Sequence, residues 1–354
     1  MAVDSLSRML TTSVLDIEIC RDAALWDAYV DSMPEASNYH RWAWKRVVEE
    51  TYGHQTYYLA ATGDGTTQGV LPLVSIKSRL FGNFLVSMPY FSYGGVLAST
   101  LAAEERLLAK AIEIAREIGA RHVELRQGGP CGYGWEEATS KVTMLVELPA
   151  TTDDLWNRLS SGMRNKVRSA RKRGLRVQWG GLEDAKAFYK IFAVNMRNLG
   201  TPVYPPQWFE NMCRFFPGEN RIVTLYDEGQ AVASGITTAY RGTVDWPWSA
   251  TLPESRRKYS AVLLYWTLLE WALENGYRRV DLGRCTPGSG VHEFKRHWNC
   301  EERPLHWYYW LSPGAPLPQL RPDSPRYLWA TRIWQRLPIG VANRLGPRIV
   351  RSIP

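Results

Sequence analysis

The sequence predicts a mixed α/β protein built from two copies of one unit. Three observations carry this: a helix–strand pair recurs at a constant offset, a hairpin precedes each pair, and a capping signal separates the copies. In the first copy, QTYYLAA (55–61) and GVLPLVSI (69–76) read as strands around the turn TGDGTTQ. FLVSM (84–88) is a short strand and PYFSYGG a loop. A helix from Ala102 to Ile118 is closed by Gly119, and HVELR follows as a strand. In the second copy, RIVTLYDEGQAVASGITTAY is a hairpin around Asp227-Glu228-Gly229-Gln230. VDWPWSA reads as a strand interrupted by Pro247, SAVLLYWTLLEWALENG as a helix closed by Gly276, and RRVDLG as a strand.

Leu107 pairs with Leu264, Ala115 with Ala272, Glu117 with Glu274 and Gly119 with Gly276, all at offset 157. Val123-Glu124-Leu125 then pairs with Val280-Asp281-Leu282. Single matches of this kind are cheap; a shared length, cap and apolar–acidic–apolar strand together indicate duplication. The boundary falls near Pro149–Asp153, where a helix cap opens DLWNRLSSGMRNKVRSARKRG. The expected domains are residues 1–150, residues 151–310 opening with a basic helix, and a basic tail, 311–354, lying on the first domain or on a membrane surface.

The 354 residues, 45% hydrophobic and 22% charged, exclude wholesale disorder and suit about two domains. Five scattered cysteines with no Cys-x-x-Cys argue against a disulfide framework or zinc ribbon and suit a reducing cytoplasm. MAVDSLSRML lacks the basic and apolar regions of a signal peptide. The apolar run AVLLYWTLLEWAL is too short to span a bilayer. A cytoplasmic protein is expected, able to sit peripherally at the inner membrane face.

The net charge of +8 is unevenly spread. Between Ser160 and Arg176 lie Arg164, Lys166, Arg168, Arg171, Lys172, Arg173 and Arg176, with no acid, and the tail carries seven arginines against Asp323. Such patches suit phosphate, nucleic acid or a membrane surface, or simply a solvated face. On a helix, Arg164, Arg168 and Arg171 share a face near Lys172, and their repulsion is relieved by an anion. A second cluster, DLGRCTPGSGVHEFKRHW (281–298), places Gly288 and Gly290 before Phe294 and Lys295. It has neither P-loop nor Rossmann spacing; Lys295 suits an oxyanion, although a lone lysine is ordinarily a surface lysine. His292, His297 and Cys300 match no zinc pattern, and no Ser-His-Asp triad can be read. Most tryptophans, Trp26, Trp42 and Trp44 among them, read as core.

The duplicated unit, MRNKVRSARKRG and DLGRCTPGSGVHEFKRHW together resemble the FemAB family, over roughly residues 20–310. These are tandem GNAT-like acyltransferases that move amino acids from aminoacyl-tRNA to the amine of a cell-wall precursor. The stretches GVLPLVSIKSRLFGNFLVSMPYFSYGG and RLPIGVANRLGPRIVRSIP are similar to FemAB-related proteins of exosortase (PEP-CTERM) and exopolysaccharide clusters. The resemblance implies two tandem GNAT-like domains, each a mixed sheet flanked by helices. It implies that Lys295 stabilises the transition state, that Glu124 lies near the acceptor amine, and that Arg164 and Arg168 hold substrate phosphate. Asn165, Arg171, Lys172, Arg284, Gly288, Gly290, Phe294 and Tyr259 complete the expected binding set. The coiled-coil arm of larger relatives has no counterpart here, and the tail is an addition.

The implied donor is aminoacyl-tRNA, with no resident cofactor and no metal, and the implied acceptor is a polyprenyl- or nucleotide-diphosphate-linked amine. The rival donor, acyl-CoA, needs a glycine-rich pyrophosphate loop. Arg256-Arg257-Lys258-Tyr259-Ser260-Ala261 stands there with Tyr259 in place of the central glycine. Two alternatives stay open: an acyl-CoA N-acyltransferase acting on an amino sugar, and a non-catalytic module binding nucleic acid or anionic glycan. YLWATRIWQRLPIGVANRLGPRIVRSI either packs back on the protein or lies on anionic lipid.

Overall fold

A computed structural model describes residues 15–78, 82–318 and 325–353. The amino-terminal stretch read for a signal peptide, residues 79–81 and the Asp323 segment lie outside the described residues. Two mixed sheets form the frame. The first contains β1 (Asp16–Ile19), β2 (Gln55–Gly63), β3 (Thr66–Ser78), β4 (Gly82–Val86), β5 (Leu97–Ala98), β6 (His122–Gln127) and β7 (Glu136–Ala138). The second contains β8 (Val142–Glu147), β9 (Arg176–Gly180), β10 (Ile222–Asp227), β11 (Gln230–Tyr240), β12 (Thr243–Thr251), β13 (Arg279–Cys285) and β14 (Glu301–Pro304). β15 (His306–Leu311) returns to the first sheet, between β6 and β7. The chain boundary near residue 150 therefore does not divide the sheets. β8 precedes it yet pairs with β13 and β14, and β15 follows the second copy yet pairs with β6.

Helices fill three layers around the sheets. α1 (Ala23–Ser32), α2 (Ala43–Tyr52), α6 (Ala185–Leu199) and α7 (Pro206–Phe215) lie with the shared core between the copies, whose aromatics include Trp26, Trp44, Trp208, Phe209 and Trp248. α3 (Leu101–Glu117) covers the outer face of the first sheet. α4 (Thr152–Arg158), α5 (Ser161–Arg171) and α8 (Ser260–Glu274) cover that of the second. Burying one apolar face of each sheet against helices and the other in a common core joins the two copies into one packed body.

The duplication holds in three dimensions. Gly119 and Gly276 both take the left-handed conformation that ends a helix, at φ +64° and +77°. Ala120 N–H donates to Ala115 at 2.8 Å and Tyr277 N–H to Ala272 at 3.0 Å, the same closing turn 157 residues apart. Each helix leads to a strand paired parallel to an earlier one, β6 with β4 and β13 with β12. The interruption expected at Pro247 is a bulge: β12 continues to Thr251, but its register with β11 shifts there, Trp246 and Pro247 standing opposite Thr237. Pro247 falls within this bulge on the β11 edge, and pairing with β13 has already stopped at Asp245.

α9 (Gly290–Arg296) carries Lys295, and α10 (Pro325–Arg336) and α11 (Ile339–Val350) form the tail. The tail packs chiefly on α6 of the second copy, whereas the sequence placed it on the first domain or a membrane. Arg197 Nη1 donates to the Gln335 carbonyl at 3.2 Å and Gln335 Nε2 to that of Asn198 at 3.1 Å. A Cβ on Gly346 would stand 2.8 Å from the Val203 nitrogen, so only glycine allows this approach. Val350 joins the shared core, and Arg351 reaches His54 of the first copy.

Candidate active site

The site begins where β12 and β13 part. They pair at Thr243–Arg279, Val244–Val280 and Asp245–Asp281, and then diverge. Gly283, at φ +79°, lies against β12; a Cβ there would meet the Trp246 carbonyl oxygen at 3.2 Å. Beside this split stands the head of Lys295, whose helix is capped by Ser289, the hydroxyl accepting from His292 N–H. Lys295 is 4% exposed, and its Nζ donates to the carbonyls of Gly283 at 2.7 Å and Arg284 at 3.2 Å. Burial pulls its pKa down, against the opposing pull of Cys285 and Asp281. An ammonium has three donors, so two anchored on the strand leave one to meet developing negative charge.

A cleft of about 870 Å³ opens between the copies, lined by Tyr93, Arg126, Thr143, Asp245, Asp281 and Arg303 among others. Asp281 accepts from Tyr93 Oη at 2.9 Å, Thr143 Oγ1 at 2.5 Å and Gly283 N–H at 2.7 Å. Burial raises its pKa, while these donors and Lys295 act to lower it. Asp245 stands across the strand pair. Burial first, and the charge of Asp281 second, push its carboxyl well above the ordinary carboxylate range, with a Tyr39 hydrogen bond opposing. Two neighbouring carboxylates with unequal donor sets are the arrangement in which one ionises and the other keeps a proton.

Two guanidiniums converge behind them. Arg126 Nη1 donates to the Phe91 carbonyl at 2.6 Å and Arg284 Nη1 to the same oxygen at 2.9 Å. Both lie over the Trp307 ring, at 4.3 and 5.2 Å from its centroid. Burial and the nearby Arg126 push Arg284 down to about 10. Glu124 Oε1 accepts from Arg126 Nε at 2.7 Å, both side chains buried. Glu124, Arg284 and Lys295 are thus gathered near the junction of the copies. Lys295 reaches it from the β12–β13 side and is not among the residues lining the cleft.

The basic helix lies elsewhere. α5 packs on α8 across the outer face of the second sheet. Its three arginines have partners within the protein: Arg164 donates to the Asn157 and Leu159 carbonyls, Arg168 to Asn165 while covering Trp156, and Arg171 to both oxygens of Glu270. The repulsion that seemed to require an anion is therefore relieved by carbonyls, a carboxylate and an indole. Lys172 is exposed at the helix end. Tyr259 starts α8 at φ +56°, keeping a glycine-like backbone, with Arg173 over its ring at 4.9 Å. Gly288 donates its N–H to His292 Nδ1, Gly290 opens α9, and Phe294 packs edge-on against Tyr265. Asp245, Tyr39, Tyr93 and Arg126 escaped the sequence reading, and Asp281 was noticed only as a repeat match. The pairing of Glu124 with Asp281 at offset 157 was the one signal pointing to them.

Residues 158–296 match the acetyltransferase (GNAT) domain family, a span covering α5, α8, β13 and Lys295. No curated protein matches the chain. Among solved structures, FemX is similar at 17% identity over 83% of this chain and 97% of its own, with a TM-score of 0.65. L-PGS from Bacillus licheniformis is similar at 12% identity, over 89% and 98% of the two chains, with a TM-score of 0.56. A tandem GNAT protein from the clavulanic acid biosynthesis pathway gives 12%, 86% and 100%, and 0.54. Two parallel-strand units with matched helix caps, one carrying a GNAT acetyltransferase domain, define an acyltransferase of tandem GNAT-like fold. No helix among the described residues is long and apolar enough to cross a membrane.

Proposed function

We propose that the protein transfers an aminoacyl group from an activated ester, aminoacyl-tRNA, to the amine of a diphosphate-linked envelope or exopolysaccharide precursor. The observation that carries this reading is the opening of the β12–β13 split, with Lys295, beside a cleft holding Asp245. The acyl carbonyl enters the split and the acceptor amine arrives from the cleft. The acceptor's free amine attacks, and Asp245, the carboxyl with the fewer donors, acts in its ionised form: it takes the proton the nitrogen sheds and passes it to the departing ester oxygen. Lys295 offsets the oxyanion as the amide bond forms and the ester oxygen leaves with a proton. Arg241, Arg278 and Arg303 line the cleft and suit the acceptor's diphosphate by position, whereas the arginines of α5 lie on the outer face of the second sheet. The likenesses to FemX and L-PGS support an aminoacyl donor at the level of fold.

A second reading, acyl-CoA as donor, has its own support. Tyr259 preserves the left-handed turn, and α8 starts without a side-chain cap after three basic residues, Arg256, Arg257 and Lys258. A parallel titration with aminoacylated tRNA, uncharged tRNA and acetyl-CoA separates the two. Preference for the charged tRNA supports the first reading. Saturable acetyl-CoA binding without that preference replaces it with the second.

A further inference from the structure

The tail has two faces, and only one is used by the fold. Around α10, Thr331 and Trp334 turn inward, Thr331 standing against Gly200. At 100° per residue, Leu328, Trp329, Arg332, Ile333 and Arg336 share the opposite arc. All five are exposed, Trp329 by 68%. α11 repeats the plan: Ala342, Gly346 and Val350 are buried, while Val341, Arg344, Leu345 and Arg348 are exposed together. Residues 325–353 hold six arginines (326, 332, 336, 344, 348 and 351) and no acidic residue.

We propose that these outward arcs dock the protein on an anionic lipid bilayer surface. Chemistry selects this occupant. Arginine interleaved with Leu, Ile, Val and a tryptophan on one arc matches the headgroup boundary, where the apolar groups enter the acyl region and guanidiniums pair with phosphate. Nucleic acid would use the arginines but leave the aliphatic side chains in water. A second copy would set the four arginines of these arcs against four. The inner face holds the helices in place before any lipid arrives, so no ordering of a free segment opposes binding. This inference stands on the tail alone and does not depend on the proposed donor or acceptor.

The test is co-sedimentation of the full chain with phosphatidylcholine vesicles with and without phosphatidylglycerol, at physiological salt. Binding is expected only with the anionic lipid and is weakened by added salt. Arg332→Gln with Arg336→Gln should weaken it roughly 30-fold, and Trp329→Ser together with Ile333→Ser should weaken it at least tenfold (an estimate from buried apolar area). Equal binding to neutral vesicles, or none to either, overturns the proposal. So does RNA binding that the arginine changes abolish while vesicle binding persists, or a dimer in light scattering that Trp329→Ser dissolves. Because these side chains point outward, the variants should keep the wild-type circular dichroism. Should they not, the lipid dependence of the unaltered chain decides alone.

Discussion

Set side by side, the two copies part company at one place. In the first, Ser87 knits β4 to β6 beyond their last pair: its N–H donates to the Glu124 carbonyl at 2.9 Å and its hydroxyl accepts from Arg126 N–H at 2.8 Å. In the second, pairing ends at Asp245–Asp281, Pro247 offers no N–H just beyond, and Gly283 takes the left-handed conformation at φ +79°, so no further pair forms. The helices differ in the same sense. α3 is capped by Thr100 and carries Glu104 in its first turn, which repels an anion; α8 has no side-chain cap and follows three basic residues. The GNAT domain match falls on the second copy. One copy thus keeps an open split while the other, sealed, lends Tyr93 and Arg126 as a wall of the cleft. On the proposed reading, duplication relieves the first copy of the donor site and frees its strand ends for the acceptor side.

Breaking the second copy's chemistry should have the largest effect. Lys295→Ala is expected to lower kcat about 10²–10³-fold with little change in acceptor KM. Equal loss in KM alone would make Lys295 a structural lysine. Asp245→Asn should lower kcat about 10²-fold and abolish the rise of rate with pH that its ionisation produces in the parent. The same change tests its raised pKa through stability. A proton held more tightly by the folded state stabilises it at low pH, and this contribution is lost as pH rises through the raised value. Asp245→Asn should therefore raise Tm at neutral pH, and the difference should vanish below the ordinary aspartate range.

In the first copy the effect should fall on stability instead. Ser87→Ala orphans the buried Arg126 N–H and should cost about 1–3 kcal/mol in denaturant unfolding, with the chemical step unaltered in single-turnover rates. A loss of kcat without a loss of stability would contradict the assignment of the first copy as wall. Tyr259→Gly sharpens the donor side: removing a non-glycine residue from the left-handed region should stabilise by about 1 kcal/mol, and calorimetry should show whether CoA affinity rises. The smallest effect is expected at Arg171→Ala, whose pair with Glu270 is largely solvent-exposed and worth under about 1 kcal/mol.

Much of the scaffold was legible in the chain. The glycine caps, the hairpin turns and the offset of 157 depend on local backbone preference and short-range periodicity, and each appears where it was read. The charge of α5 was legible too, but its meaning was not, since Glu270 and Trp156 approach only once α4, α5 and α8 pack. The exchange of β8 and β15 between the copies left no local trace, because strand pairing partners are chosen by the sheets and not by neighbours in sequence.

The sequence by itself determined the duplicated α/β plan, a proline within the strand before the second helix, and the acidic positions 124 and 281. Only the tertiary structure decided that Asp245 and Asp281 face each other, that Arg126 and Arg284 converge on one carbonyl, and that the tail keeps an open arginine-and-apolar face. The physical reason is one of range. Caps, turns and breaks depend on backbone torsions and hydrogen bonds a few residues apart. A carboxylate pair or a pair of guanidiniums acquires its chemistry from burial, which exists only when the two copies close on each other.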